Sequence, residues 1–105
     1  MEGVGIGRIV HYVLTEQDAI EINRRRVAGV GHSENWPAGA QAHYGNLVIE
    51  HEHVPMVITL VRDYNGRVNG KCLLDGNDDL WVTSRMPNVE EGYHVPGTWH
   101  WPEEV

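Results

Sequence analysis

Along residues 7–13, GRIVHYV, apolar and polar positions alternate. Ile9, His11 and Val13 fall on one side and Arg8, Val10 and Tyr12 on the other, which is the two-residue period of a strand. The period then changes. Thr15-Glu16-Gln17-Asp18 resembles a capping box with Thr15 as N-cap, although Asp stands where Glu or Gln is usual. It predicts a helix from about Glu16 to Ala28 (about 16–28), ended by Gly29 and Gly31. At about 100° per residue, Ala19, Ile20, Ile22, Val27 and Val30 form one apolar stripe.

Residues 32–45, HSENWPAGAQAHYG, lose all periodicity and read as a long loop. Asn46 to Glu50 reads as a short strand. Val54 to Tyr64, VPMVITLVRDY, is apolar on both faces through its middle, so it is predicted to be the central strand. Pro55 lies near its start, where a missing donor is tolerated. Of two Asn-Gly pairs, Asn65-Gly66 is the better hairpin turn, because it leaves Val68 to Leu74 as a full strand. Asp75 to Asp78 reads as a turn and Leu80 to Ser84 as a strand. Residues 86–97 read as an acidic loop and Thr98 to Trp101 as a closing strand. The pattern implies an α+β fold in a single domain, 1–105. It is a small antiparallel sheet, or a barrel-like domain, with one α-helix inserted near the N-terminus.

Charge narrows the partners. Eight basic residues stand against 15 acidic ones, for a formal net charge of −7. That excludes a large DNA, RNA or anionic-membrane surface, but not a small cationic pocket. No apolar run reaches the ~20 residues that span a bilayer, and no leader pattern is seen, so the cytoplasm is the expected location. One cysteine, Cys72, allows no internal disulfide and falls in an apolar strand pattern. With only 105 residues to build a core, a homo-oligomer is expected to help bury surface.

Three of the eight basic residues stand together in EINRRRVAG, 21–29. Helical projection splits them. Arg24 and Arg25 point away from the apolar stripe, whereas Asn23 and Arg26 project into it. A buried guanidinium needs a partner. One reading is an internal salt bridge from Arg26 to an acidic side chain such as Asp75 or Asp63. The other is that Arg26 lines a pocket and meets a ligand phosphate or carboxylate, with Asn23 reading a base or sugar edge.

Other stretches carry candidate chemistry. WPAGAQAHYGN, 36–46, offers Trp36, Gln41, His43, Tyr44 and Asn46 on a glycine-bearing loop, a set suited to stacking on a planar ligand and reading its edges. The alternative is a loop anchored by Trp36, with His43 satisfied by backbone. EHEHVP, 50–55, places His51 and His53 on one strand face and, with Gly45, imitates the start of a cupin metal motif. Val57 and Ile58 stand where the next ligand is needed, and a metal site needs three or four. The stretch therefore reads as an exposed polar edge, with no metal and no other cofactor expected. Asp75, Asn77 and Asp79 imitate a calcium loop, but the flanking helices and final Glu are missing. Trp99 and Trp101 share a face of a packed closing strand. No nucleophile elbow or phosphate loop is found, so an enzyme is disfavoured but stays open.

GRIVHYVL, DAIEINRRR, QAHYGN, VPMVIT, DGNDDLWVTS and GTWHWP occur in this order and together resemble a widespread group of small phage- and prophage-encoded proteins. The DGNDxxWxTS and WxWP stretches are the most specific parts. The chain departs from the group at His51 and His53, where a Glu-Gly-Asp type sequence is usual. The turn after Arg62 is shorter, and a Trp near Arg62 is absent. The resemblance implies a phage origin and no particular activity. Origin and residue types together lead to the expectation of a ligand trap. It would sequester a host immune signalling nucleotide, of cyclic ADP-ribose type or a cyclic dinucleotide, through Asn23, Arg26, Trp36, Gln41, His43, Asn46, Asn77, Trp81 and Thr83. The alternatives are a phosphoesterase-like enzyme that cleaves the signal, and a structural or protein-inhibitor accessory protein.

Overall fold

The computed structural model describes residues 3–32 and 47–102, with the side chains of 27–32 outside the description. Five strands, β1 (Ile9–Val13), β2 (His53–Val61), β3 (Val68–Leu73), β4 (Asp79–Arg85) and β5 (Trp99–His100), form one antiparallel sheet in the order β4-β3-β2-β1-β5. A single helix, α1 (Glu16–His32), follows β1. The α+β expectation holds, with β2 central.

Local chemistry explains most boundaries. Thr15 Oγ1 accepts from the Asp18 amide and Asp18 Oδ2 from the Thr15 amide, both at 3.0 Å, so Asp completes the reciprocal cap. The helix runs to His32, past the stop predicted at Gly29 and Gly31. Glycine costs a helix only about 1 kcal/mol per residue, which slows it but does not break it. The strand predicted at Asn46–Glu50 does not form among its described residues. The Val48 amide and carbonyl are both bonded, at 2.8 Å, by the side-chain amide of Asn23, leaving no ladder partner there. The β2–β3 hairpin turns at Asn65-Gly66: Gly66 has φ 89°, and Asp63 Oδ1 accepts from the amides of Asn65 and Arg67. Gly70 instead lies inside β3, where an added Cβ would sit 2.5 Å from Met56.

The sheet is strongly curled. Bulges interrupt the β2–β3 register between Ile58 and Leu60 and the β3–β4 register between Val68 and Gly70, and bulges sharpen local twist. The chain leaving β4 then reaches β5, where Pro87 bridges Trp99 in parallel and the Asn88 amide donates to the Trp99 carbonyl. Alternation sends Val10, Tyr12, Met56, Ile58, Cys72, Val82 and Trp99 to the concave side, where Ile22 of α1 joins them in the core. Burying Ile22 completely contributes about 1.5–3 kcal/mol. Trp99 is 1% exposed, and its indole N–H donates to the Gly66 carbonyl.

Candidate metal centre

Apolar side chains of β1, β2 and β5 point inward to the core, and the positions that alternate with them face outward. On β1 the outward slot between Val10 and Tyr12 is His11. On β2 the outward slot before Val54 is His53. On β5 it is His100, next to the buried Trp99. The register then does the rest. His11 lies directly opposite His100, and His53, opposite Val13, is its diagonal neighbour across the β1–β2 pair.

The three imidazoles meet on the convex side of the sheet. One ring nitrogen from each lies within 4.8 Å of the others. His11 and His100 are half-buried and His53 is exposed, so the cluster is reachable from solvent. Ring centroids are 5.6 Å apart for His11–His100 and 4.9 Å for His53–His100, in edge-on orientation. A tetrahedral zinc with bonds of about 2.0–2.1 Å holds its ligand nitrogens about 3.4 Å apart. Side-chain rotation of an ångström or so, within reach of imidazoles on a half-open face, closes the difference. Neutral imidazole sets of this kind suit zinc, copper, nickel and iron.

His94, from the segment after β4, lies against the cluster. Its ring stacks on His100 at 3.8 Å and 7°, and meets His53 edge-on at 5.0 Å. His51 does not share a strand face with His53 as expected. It precedes β2 in a turn, with φ 77°, and its Nε2 lies 2.9 Å from the Tyr93 hydroxyl. EHEHVP, expected to be only an exposed polar edge, thus brings His53 beside His11 of β1 and His100 of β5. Outward slots flanked by core residues were visible in GRIVHYV and TWHWP. The missing information was that β5 adds beside β1.

The concave side holds the arginine question. Arg26 is 2% exposed, and its Nη1 lies 3.1 Å from Asp78 Oδ1. An internal ion pair is present, with Asp78 as partner rather than Asp75 or Asp63, because α1 runs over the β3–β4 turn. Arg25 is not fully solvated as expected: it donates to the Asp79 carbonyl at 2.8 Å and lies 3.5 Å from Asp78. Arg24 is exposed and pairs with Glu21. Asn23 spends its amide on Val48. Trp81 and Thr83 alternate with the inward Val82, so they lie on the convex side, away from Arg26. Trp81, 59% exposed, sits opposite Lys71. Asn77 is exposed in the β3–β4 turn. Trp36, Gln41, His43, Asn46 and the predicted 32–45 loop, His32 backbone aside, lie outside the described residues.

Two titratable groups of the core are perturbed. Burial, then the hydrogen bond to Asp18 and its charge, push the Tyr12 phenol far up. Burial, then the Asp18 charge, push the Cys72 thiol up to about 12, an inert and buried sulfur. No described helix is long and apolar enough to cross a membrane. Compared with family models, with curated proteins and with solved structures, the chain gives no match, so the site is read from its own geometry.

Proposed function

We propose that this protein is a small transition-metal-binding domain that takes one divalent ion on His11, His53 and His100. One observation carries the reading: three imidazoles delivered by three different strands place their nitrogens within 4.8 Å of one another. Backbone pairing holds the three residues side by side, so side-chain rotation is what is left for the metal to impose. The test is equilibrium dialysis of the full chain against Zn²⁺, with thermal unfolding in parallel. The expected result is one tightly held ion and a raised Tm, both lost in His11→Ala, His53→Ala and His100→Ala. Binding that persists in all three variants refutes the site.

A second reading has its own support. Nε and Nη2 of Arg26 are buried without a hydrogen-bond partner among the described residues, a fork that a phosphate or carboxylate satisfies. In that reading the domain, of phage type by its resemblance, sequesters a nucleotide signal. A thermal-shift screen of cyclic ADP-ribose variants and cyclic dinucleotides, followed by denaturing release and chromatography, tests it. Intact recovery, lost in Arg26→Ala and kept in Arg24→Ala, supports a trap; cleaved product supports a phosphoesterase; no shift refutes both.

A further inference from the structure

We infer that His94 is the fourth ligand of the metal centre, which makes the loaded site a closed four-imidazole one with no position left for a substrate. This inference rests on the metal-binding reading above and decides what kind of site it is. Zinc sites that keep three protein ligands and a water are catalytic, and those with four protein ligands are structural.

Ring geometry carries the argument. Imidazoles that share one tetrahedral zinc through bonds of about 2.0–2.1 Å have centroids about 5 Å apart. Three separations in the cluster already match: His53–His94 at 5.0 Å, His53–His100 at 4.9 Å and His11–His100 at 5.6 Å. The fourth ring contact, His94–His100, departs from it, stacked face to face at 3.8 Å. To point at a common ion those two rings must separate by about an ångström and one must also rotate out of the stack, since each ligating ring holds the ion in its own plane. His94 therefore already keeps ligand spacing to His53 and stacks flat only on His100.

Its main chain is held at the right place. Asn88 brackets the residue from both sides: Nδ2 donates to the Tyr93 carbonyl and Oδ1 accepts from the Val95 amide, each at 3.0 Å. A second Nδ2 bond, to the Glu90 carbonyl, closes the same loop. With residues 93 and 95 both tied to one side chain, the backbone of His94 is held beside the cluster, and ligation calls on rotation of its own χ angles.

The test is a Co²⁺ titration of the full chain, read by visible ligand-field absorption. This is intense for four-coordinate tetrahedral cobalt and weak for five or six ligands. The wild-type chain is expected to give the intense tetrahedral spectrum and to ignore added thiocyanate, since no position is open. His94→Ala and His94→Gln are expected to bind cobalt at least about ten-fold more weakly, with a weaker spectrum that responds to thiocyanate. Thermal unfolding of the metal-free variants checks that both fold. A wild-type spectrum and Kd in both variants, or a wild-type spectrum that thiocyanate changes, overturns the inference while leaving a three-histidine site standing. No cobalt or zinc bound by the wild-type chain overturns the metal reading and this inference together.

Discussion

Removing the Asp78 carboxylate is the sharpest test of how the helix is held. Arg26 is 2% exposed, and Asp78 Oδ1, 3.1 Å away, is the counter-charge among its described contacts; the Asp78 side chain is itself only 18% exposed. Breaking a buried pair by deleting one partner costs about 3–5 kcal/mol, because the remaining charge stays desolvated. Asp78 retains some access to water, so the lower end applies, about 3 kcal/mol. Arg25, 31% exposed and 3.5 Å from the same carboxylate, adds under about 1 kcal/mol as a surface pair. In a domain of about 100 residues each kcal/mol lowers Tm by about 4–8 °C, so Asp78→Ala should lose about 12–24 °C. Replacing the guanidinium as well, in Arg26→Met with Asp78→Ala, removes the stranded charge and should recover at least half of that loss. Urea unfolding followed by tryptophan fluorescence measures both, since Trp99 is buried in the core. The reasoning fails if Asp78→Ala stays within about 0.5 kcal/mol of wild type, the range of an ordinary surface change. It fails equally if the double variant is no better than the single one.

Three further outcomes are expected. Thr15→Ala should cost about 1 kcal/mol in urea unfolding, since it removes the Oγ1 that caps the Asp18 amide. Gly70→Ala should cost about 1–3 kcal/mol by overpacking, because its Cβ would meet Met56 Cγ and Sδ at 2.5 Å and the Val57 carbonyl at 3.0 Å; an unchanged urea midpoint would contradict the close strand approach. Alkaline pH should weaken the fold. The Cys72 thiol is raised from 9.0 to about 12, and the Tyr12 phenol is raised as well. The unfolded chain thus sheds these protons first: the stabilisation from Cys72 is complete below about pH 9 and is lost as pH climbs toward 12, at about 1.4 kcal/mol per pH unit, and that from Tyr12 begins to be lost above about pH 10. Cys72→Val should flatten the slope of the urea midpoint between about pH 9 and 11; a slope equal to wild type rejects the assignment.

Much of the fold was legible because one residue settles each local question. Asn65-Gly66 rather than Asn69-Gly70 makes the hairpin, since Gly70 is needed where Met56 crosses it. Val54 to Tyr64, apolar on both faces through its middle, was expected to be central, and β2 is. The inward turn of Arg26 and Asn23 was also readable from helical spacing. Their partners were not, because Asp78 and Val48 are brought in by tertiary structure. The failed strand at 46–50 shows the same thing: local propensity yielded to a side chain 25 residues upstream. The histidine cluster was the least legible part. Its members stand 42 and 47 positions apart in the chain, and no short motif spans such gaps. It exists only because a two-residue strand docks beside β1.

That short strand also disposes of an open edge. One side of β5 is paired with Tyr12 and His11 of β1, and its other side meets Pro87 and Asn88 from the far end of the same sheet. A sheet rim left bare is a template on which a second molecule can add strands and begin to aggregate. Here the chain seals that rim with its own backbone and sets a proline at the seam, where no amide is offered to a newcomer.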